Sequence, residues 1–174
     1  MKTVYRLLLT FNSIMLMLIV YLVKELIWIT YLGKYTIILY LLVPVFLSMF
    51  SLWVSDGLSH DSIEGGIQNV EMANDVYMPS YLGYFFVALS IPNSDWIILL
   101  FVFGILFVFT YFSQSLYYNP LFLLFGYKFY YITKKNNLKV FIISKKDIQE
   151  TKDLKFNNLR RINDFTFIDK ERRR

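Results

Sequence analysis

The longest stretch without a charged side chain runs from Trp96 to Tyr127, and it constrains the fold of this chain more than any other feature. As one continuous helix these residues would reach about 48 Å, whereas the hydrocarbon core of a bilayer is about 30 Å thick. The stretch must therefore break. Asn119-Pro120 is the predicted position, because proline removes a backbone donor and moves its predecessor out of helical geometry. We predict a transmembrane helix at residues 96–116, followed by an elbow at residues 117–127 that lies at the membrane surface.

Three other uncharged runs predict further bilayer-spanning helices. The chain is 56% hydrophobic, and its apolar residues lie in long runs rather than in amphipathic patterns, which is the signature of membrane spans. The first run is taken as uncleaved, because Lys24-Glu25 follows it where a signal peptide would have small residues. The third is short, because Pro79 and Pro92 limit its helix to about 13 residues, or about 20 Å. We predict these spans at residues 7–23, 35–54 and 77–93.

The basic residues fix the side of the C-terminal tail but not the number of spans. Residues 134–174 carry 13 Lys/Arg and 6 Asp/Glu, and basic residues beside a span should hold the tail in the cytoplasm. Three and four spans divide the other basic residues equally between the two sides. We choose four, because Tyr77, Tyr81 and Tyr84 form an aromatic belt and small residues in the third segment permit close helix packing. The prediction is a multi-pass membrane protein with its amino terminus and tail in the cytoplasm.

Four residues interrupt the apolar character of the predicted spans: Asn12, Pro44, Ser48 and Ser51. Pro44 predicts a kink, which serves either as a packing adjustment or as the hinge of a gate. Ser48 and Ser51 can satisfy carbonyls that the proline frees. Asn12, with its neighbour Ser13, either hydrogen-bonds a neighbouring helix or lines a pore.

An acidic segment follows the second span. Between Ser55 and Ser80 there are five Asp/Glu and no Lys or Arg. Its glycines argue against one continuous helix, and its acids do not have the spacing of a calcium-binding loop. We predict a solvated acidic loop at residues 55–76. In the four-span arrangement it lies beside the basic tail, and the opposite charges predict that loop and tail are in contact.

The tail begins with a pattern typical of a β-hairpin. Apolar and polar residues alternate from Tyr127 to Ser144 on both sides of Lys134-Lys135-Asn136-Asn137, and an asparagine pair tolerates the left-handed backbone of a tight turn. Both faces carry apolar side chains, so the hairpin needs a cover. The elbow, a second subunit or a soluble partner would supply it. Beyond the hairpin, residues 144–159 predict a weak helix with Ser144 as its N-cap.

These segments define two predicted domains. Residues 1–118 form the helical membrane domain, and residues 119–174 form the elbow and the basic tail. The predicted fold class is an α-helical integral membrane protein with four transmembrane helices, the third one short, and a small cytoplasmic C-terminal tail that contains a β-hairpin.

Basic and apolar residues of the tail are the candidate partner-binding site. The apolar ones either complete the small tail domain or form a peptide that docks on another protein, since the spacing 159, 162, 165 suits a helix and 165, 167 suits a strand. The basic ones either mark cytoplasmic orientation, bind anionic lipid headgroups or contact nucleic acid. Nucleic acid is least favoured because six acids are interspersed. The candidates are Lys145, Lys146, Phe156, Leu159, Arg160, Arg161, Phe165 and Phe167.

The composition excludes several kinds of chemistry. There is no cysteine and His60 is the only histidine, so disulfides, thiolate catalysis and most metal or acid–base sites cannot form. No phosphate-binding loop or Ser/His/Asp set is visible. We predict no enzymatic activity, no cofactor and no metal. The predicted spans carry no charged residue in their cores, which disfavours an ion or proton transporter.

Several short motifs accompany the four-span layout: Asn119-Pro120-Leu121 at the elbow, Gly126-Tyr127-Lys128-Phe129-Tyr130 in the first tail strand, Ile143-Ser144-Lys145-Lys146 at the end of the hairpin, and Leu159-Arg160-Arg161 followed by Asp164-Phe165. With this combination the chain resembles the membrane-subunit family, KwaA, of the bacterial Kiwa anti-phage defence system. The resemblance implies a non-enzymatic inner-membrane protein that oligomerises. It would hold a cytoplasmic DNA-binding effector, KwaB, at the membrane and report phage attack there. It transfers no site residues.

Two functions from different classes follow. The first is a membrane sensor and scaffold whose tail recruits a KwaB-like cytoplasmic effector, with membrane lipids and further copies of the chain as its other partners and no direct binding to nucleic acid. The alternative is a small oligomeric channel or lysis-type pore lined by Asn12, Ser48 or Ser51.

Overall fold

The computed structural model describes residues 2–64, 66–76, 78–113, 119–148 and 154–171. Within these ranges two helices, two strands, three helices and four strands follow one another along the chain, with short 3₁₀ turns at Gly33–Tyr35 and Ser55–Gly57. In chain order the elements are α1 (Lys2–Lys24), α2 (Thr36–Val54), β1 (His60–Glu64), β2 (Ile67–Met72), α3 (Met78–Ser90), α4 (Trp96–Ser113), α5 (Leu121–Leu124), β3 (Lys128–Lys134), β4 (Lys139–Ser144), β5 (Lys155–Arg161) and β6 (Thr166–Asp169).

The helices agree with the predicted apolar segments. Three of them, α1, α2 with its flanking turns, and α4, are long and apolar enough to cross a membrane. The third, α3, has 13 residues, which confirms the short helix predicted from the two prolines. α2 continues through Pro44. The predicted end of the last span at residue 116 lies outside the described residues.

α1 is the central helix of the bundle. It packs against α2, α3 and α4, and its buried side chains follow one another along its whole length, from Tyr5 through Leu9, Ile14 and Met17 to Tyr21. α2 and α4 instead expose most of their large apolar side chains, as helices that face lipid do.

The two ends of the bundle are distinct. At the end that we call distal, Tyr21 of α1 contacts Trp96 at the start of α4, with ring centroids 5.7 Å apart. There Lys24 Nζ also donates to the carbonyl of Ile91, just after α3. At the other end, α1 begins, α2 ends, and the strands pack against both.

The predicted β-hairpin is confirmed. β3 and β4 pair antiparallel, from Lys128 opposite Ser144 to Thr133 opposite Lys139. Their turn places Asn137 at φ 61°, the left-handed conformation expected of the asparagine pair.

The acidic segment is not the solvated loop that the sequence predicts, because it forms two strands of the same sheet. β1 pairs with β5 and β2 pairs with β3, both antiparallel. The contact predicted between loop and tail is thereby confirmed, and most of it is backbone pairing rather than charge attraction alone. Ion pairs add to it at Asp61–Arg161 (2.8 Å), Glu71–Lys139 (2.8 Å) and Asp56–Lys170 (2.9 Å).

The weak helix predicted beyond the hairpin is wrong where the structure describes it. Ser144 ends β4 instead of capping a helix, and residues 155–161 form β5. Residues 149–153 lie outside the described part. The apolar side chains at 159, 162 and 165 therefore do not share one helical face. Strand pairing on both sides of β5 overrides its weak helical propensity.

The sheet curls into a barrel. Its strand order is β1-β5-β6-β4-β3-β2, so β1 and β2 would lie about 24 Å apart in a flat sheet with ~4.8 Å between strands. Yet only two glycines separate Glu64 from Ile67, and three virtual bonds of about 3.8 Å span at most ~11 Å. β1 and β2 must therefore lie close to one another, and as the two halves of a bent strand they close the ring between β5 and β3. We call β1–β6 the barrel.

The two apolar faces of the hairpin have different covers. Tyr130, Ile132, Val140 and Ile142 face the inside of the barrel, together with residues of β1, β5 and β6. The opposite face joins the barrel to the helices and the elbow, in a cluster that comprises Tyr5, Leu9, Leu52, Leu58, Ala73, Phe122, Tyr127, Phe129, Phe141, Ile143, Ile162 and Ile168. The elbow thus supplies part of the cover that the hairpin requires.

Candidate functional site: the junction of α2 with the barrel

The hydroxyl group of Ser48 is the centre of a buried polar cluster. It accepts hydrogen bonds from Nδ2 of Asn12 on α1 (3.1 Å) and from Nδ2 of Asn119 at the elbow (2.8 Å), and it donates to the carbonyl of Pro44 (2.7 Å). These contacts use the full hydrogen-bonding capacity of a hydroxyl group. All four residues are buried. We call them the Ser48 cluster, and it connects three segments that are distant in sequence.

The local sequence places each member of this cluster. Asn119 precedes Pro120, and its Oδ1 accepts the N–H of Leu121 (3.0 Å), so its amide group both starts α5 and reaches α2. Ser48 lies one helical turn after Pro44 and therefore on the same side of α2. The carbonyl that the missing N–H of Pro44 leaves without its helical donor is that of Tyr40, four residues earlier. Ser48 bonds a different carbonyl, so the predicted repair by Ser48 is not what the structure shows.

The other buried hydroxyl groups between α1 and α2 donate to carbonyls of their own segments. Ser51 donates to the carbonyl of Ser48 (2.8 Å) and Ser55 to that of Leu52 (2.6 Å). On α1, Thr10 and Ser13 likewise bond carbonyls three or four residues earlier. Of the two residues predicted to reach a neighbouring helix, Asn12 does so and Ser13 does not.

A second contact joins the end of α2 to the barrel, and we call this contact together with the Ser48 cluster the junction. Lys170, directly after β6, places Nζ 2.5 Å from the carbonyl oxygen of Leu52 and 2.9 Å from the carboxylate of Asp56. Its side chain is only 14% exposed. A cation at the C-terminus of a helix is favourable because the last carbonyls carry partial negative charge. Arg160 adds a bond from Nη1 to the carbonyl of Leu58 (3.1 Å).

Two titratable groups lie between this contact and the barrel. Burial raises the pKa of Tyr127 to about 12, and the nearby carboxylates of Asp56 and Asp169 add to the rise. Burial also raises the pKa of Asp169 above its ordinary value, although hydrogen bonds from Glu171 N–H and the Ser144 hydroxyl oppose the rise. Within the described ranges no cluster of three or more His, Asp or Glu side chains is able to hold a metal ion.

Three of the predicted partner-binding residues are not accessible to a partner. Phe156, Leu159 and Phe167 are buried inside the barrel. The sequence cannot distinguish such residues from a docking peptide, because both show apolar side chains among charged ones.

The predicted basic residues are engaged within the chain. Lys146 pairs with Glu171 (2.6 Å) and Arg161 with Asp61 (2.8 Å), while Arg160 bonds the carbonyl of Leu58. The Lys145 ammonium group lies 4.8 Å from the centre of the Tyr127 ring. They are therefore part of the junction and of the barrel surface, rather than one basic patch.

Phe165 is the predicted residue that the structure leaves exposed, at 54%. Its backbone is fixed, since its carbonyl accepts the N–H of Phe141 (2.7 Å) and its N–H donates to Asn163 Oδ1 (2.9 Å). It borders a groove of about 340 Å³ between the barrel and the end of α4, lined by Ser113, Tyr131, Lys139, Val140, Phe141, Asn163, Phe165 and Thr166.

Sequence reasoning missed two members of the junction, Asn119 and Lys170. Asn119 was recognised only as the position of a chain break, and the signal for its second role is an amide placed directly before proline in an otherwise apolar run. Lys170 is one basic residue among many in the tail, and nothing local distinguishes it.

A bundle of apolar helices, three of them long enough to cross a bilayer, joined to a small barrel with ion-paired edges, defines the class: a helical protein suited to a membrane with a folded polar domain at one end. The family model of the anti-phage protein KwaA matches residues 5–168, so the chain belongs to the KwaA family. Membership in this family implies a role in anti-phage defence. The comparisons with curated proteins and with solved structures gave no match.

Proposed function

We propose that this chain is a non-enzymatic sensor and scaffold of the bacterial inner membrane that recruits a soluble, KwaB-like DNA-binding effector to its barrel. The observation that carries the proposal is the junction of α2 with the barrel, in which a rigid polar domain is attached to apolar helices by buried, specific contacts. A protein that only anchored itself would not need such a junction.

Four spans are part of this proposal. α3 begins shortly after β2 at the barrel, and the chain after it meets Lys24 at the distal end, so α3 runs in the same direction as α1. Its 13 residues cover about 20 Å, and local thinning of the bilayer accommodates a short helix. The barrel and the start of α1 then share the cytoplasmic side, which the positive-inside rule favours.

Cysteine labelling tests this arrangement directly, because the chain has no cysteine of its own. Tyr31→Cys and Asn93→Cys, at exposed positions near the distal end, should react with an impermeant maleimide in intact spheroplasts. Asn136→Cys in the barrel should react only after the membrane is permeabilised. Reaction of Asn136→Cys in intact spheroplasts would refute the orientation.

The proposed docking surface is the groove beside Phe165. An exposed phenyl ring on a fixed backbone, next to an apolar floor and the Lys139 ammonium group, has the composition of an interface anchor. Removal of the barrel strands would expose their core, so single surface substitutions are a cleaner test than deletion of the tail.

Recruitment is tested by co-purification of a co-expressed KwaB-like effector in mild detergent. Phe165→Asp should reduce the recovered effector about tenfold or more, since an interface anchor contributes more than ~1.4 kcal/mol. Leu138→Asp, an exposed apolar position at the hairpin turn, is the matched control and should retain the effector. Equal recovery with both variants would place the contact elsewhere, and no recovery with the unmodified chain would overturn the scaffold function.

The structure gives no support to the alternative of a pore lined by Asn12, Ser48 or Ser51. These side chains are buried inside the bundle of a single chain and bond to each other or to their own helix.

A further inference from the structure

We infer that α2 is a hinged helix: its second half swings about Pro44 together with the barrel, and the Ser48 cluster holds it in the closed position seen here. The motion itself follows from contacts of this chain alone. Its use as the signal-transmitting step rests on the proposed sensor function.

The two halves of α2 are attached to different parts of the molecule. Before Pro44, Tyr40 donates to the carbonyl of Ile27 (2.8 Å), and Thr36 Oγ1 accepts the N–H of Ile29 (3.0 Å), so this half is fixed to the distal connection. After Pro44, Ser48 bonds the elbow and Leu52 bonds Lys170 of the barrel.

Pro44 is the natural position of a hinge between these halves. It supplies no N–H, so the helical hydrogen bond across this turn is missing, and helices bend preferentially at such positions. Ser48 donates to the Pro44 carbonyl (2.7 Å), a type of bond that often accompanies bending.

The surface between α1 and the second half of α2 carries several small hydroxyl-bearing side chains. Ser51 on α2, Ser55 directly after it, and Thr10 and Ser13 on α1 have small side chains whose hydroxyl groups donate to carbonyls of their own segments, and Ser55 also faces the side chain of Tyr5 on α1. Among the described hydrogen bonds, those that reach Ser48 from outside α2 come from Asn12 and Asn119. The amide groups of Asn12 and Asn119 therefore hold the closed position together with the apolar cluster in which Tyr5 and Leu9 of α1 pack against Leu52 and the barrel, and the motion must rearrange both.

The Lys170 contact determines what moves with the helix. Its ammonium group bonds the last turn of α2 and the carboxylate of Asp56, while its backbone N–H donates to Asn158 of β5 (2.9 Å). A displacement of the end of α2 is therefore passed to β5 and β6 without a flexible linker between them.

Pairs of spin labels on introduced cysteines, measured in lipid nanodiscs, test the hinge. The reporter pair is Met49→Cys with Phe109→Cys, and the matched control pair is Ile38→Cys with Ile97→Cys, all at exposed positions on α2 and α4. In the chain with Asn12→Leu and Asn119→Leu, the reporter distance should broaden or gain a second value, while the control distance stays unchanged. Ser51→Ala, which removes a hydroxyl group bonded only within α2, should change neither distance.

A second substitution distinguishes hinge motion from general loosening. Pro44→Ala restores the missing N–H and should return the reporter distance of the Asn12/Asn119 variant to a single narrow value. An unchanged reporter distance in the Asn12/Asn119 double variant that keeps Pro44 would overturn the inference. An equal change in the reporter and control distances would also overturn it. If the double variant does not fold, as judged by its helical circular dichroism, Asn119→Ala alone is measured in the same way.

The outcome is separable from that of the proposed function. Effector recovery with Phe165→Asp tests the scaffold function, whereas the distances between spin labels test the hinge motion. Neither measurement requires the other to succeed.

Discussion

At the scale of single residues, the hydroxyl group of Ser48 has a role that its neighbours of the same type do not share. Ser48 and Ser51 are both buried on α2, yet only Ser48 receives bonds from other segments. Loss of a buried hydrogen-bond partner is costly because the groups left behind stay desolvated.

Ser48→Ala should therefore destabilise the protein by about 1–3 kcal/mol, because it leaves the amide groups of Asn12 and Asn119 without their acceptor. Ser51→Ala should cost less, about 0.5–1 kcal/mol, since it removes one hydrogen bond within one helix and leaves no side chain of another segment without a partner. Unfolding in detergent with increasing denaturant provides the measurement. Equal effects of the two substitutions would show that the Ser48 cluster contributes nothing beyond helix–helix packing.

The buried carboxyl group of Asp169 predicts a pH dependence. Its pKa in the folded protein is raised by burial, despite the nearby Lys146 ammonium group, so the folded protein holds the proton more tightly than the unfolded chain. The resulting stability is fully present below the unfolded pKa of about 3.9 and is lost as the pH rises through the folded value. Asp169→Asn has no such titration.

Thermal unfolding of the unmodified chain and of Asp169→Asn between pH 4 and pH 7 tests the direction of this pH dependence. The melting temperature of the unmodified chain should fall relative to that of Asp169→Asn as the pH rises. A relative increase over the same interval would mean that the hydrogen bonds from Ser144 and Glu171 outweigh burial.

At the scale of elements, the bent strand formed by β1 and β2 closes the barrel. It pairs with the edges of β5 and β3 that would otherwise be open to aggregation, and Gly66 lies directly before its second half. Gly66 has φ +68° and also accepts a hydrogen bond from the N–H of Lys135 (2.7 Å).

Gly66→Ala should destabilise the barrel by about 1–2 kcal/mol, because a side chain at positive φ clashes with its own backbone. The space around this position is open, so strain rather than crowding would cause the loss. Gly83→Ala on α3, where the space is equally open and φ is not positive, is the control and should be neutral or slightly stabilising. Chemical denaturation followed by tyrosine fluorescence compares them.

At the scale of the whole molecule, the barrel is assembled from two parts of the chain that α3, α4 and α5 separate. β1 and β2 supply its closing strand, while β3, β4, β5 and β6 supply the other four. Its outer apolar face also needs Tyr5, Leu9 and Leu52 from the helices.

A fragment of residues 119–174 alone should therefore fail to fold, although the sequence suggests a separate tail domain there. It lacks both strands that close the ring, and the remaining sheet would expose the barrel core to water. Limited proteolysis and near-ultraviolet circular dichroism of the fragment, beside the full chain in detergent, provide the test. A protected fragment with native-like spectra would establish the tail as an independent domain.

Much of the fold follows from local patterns in the sequence. Long uncharged runs predict α1, α2 and α4, because a bilayer-sized apolar helix leaves a signal in composition alone. The 13-residue length of α3 follows from its prolines, and the hairpin follows from alternation around an asparagine turn. Even the contact of acidic loop and basic tail is visible in the separation of charges.

Only the tertiary structure decided how these pieces are joined. His60–Glu64 and Ile67–Met72 carry too few apolar residues to be recognised as strands, and they become strands because β5 and β3 offer unpaired edges. The core, rather than a docking peptide, contains Phe156, Leu159 and Phe167. Their burial depends on strands that are distant in sequence, so no local pattern reveals it. The sequence by itself determined which segments suit lipid and which suit water, because transfer free energy is a property of each side chain. Pairing between distant segments is a property of the assembled molecule, and it alone placed Ser48 beside Asn119 and Lys170 beside the end of α2.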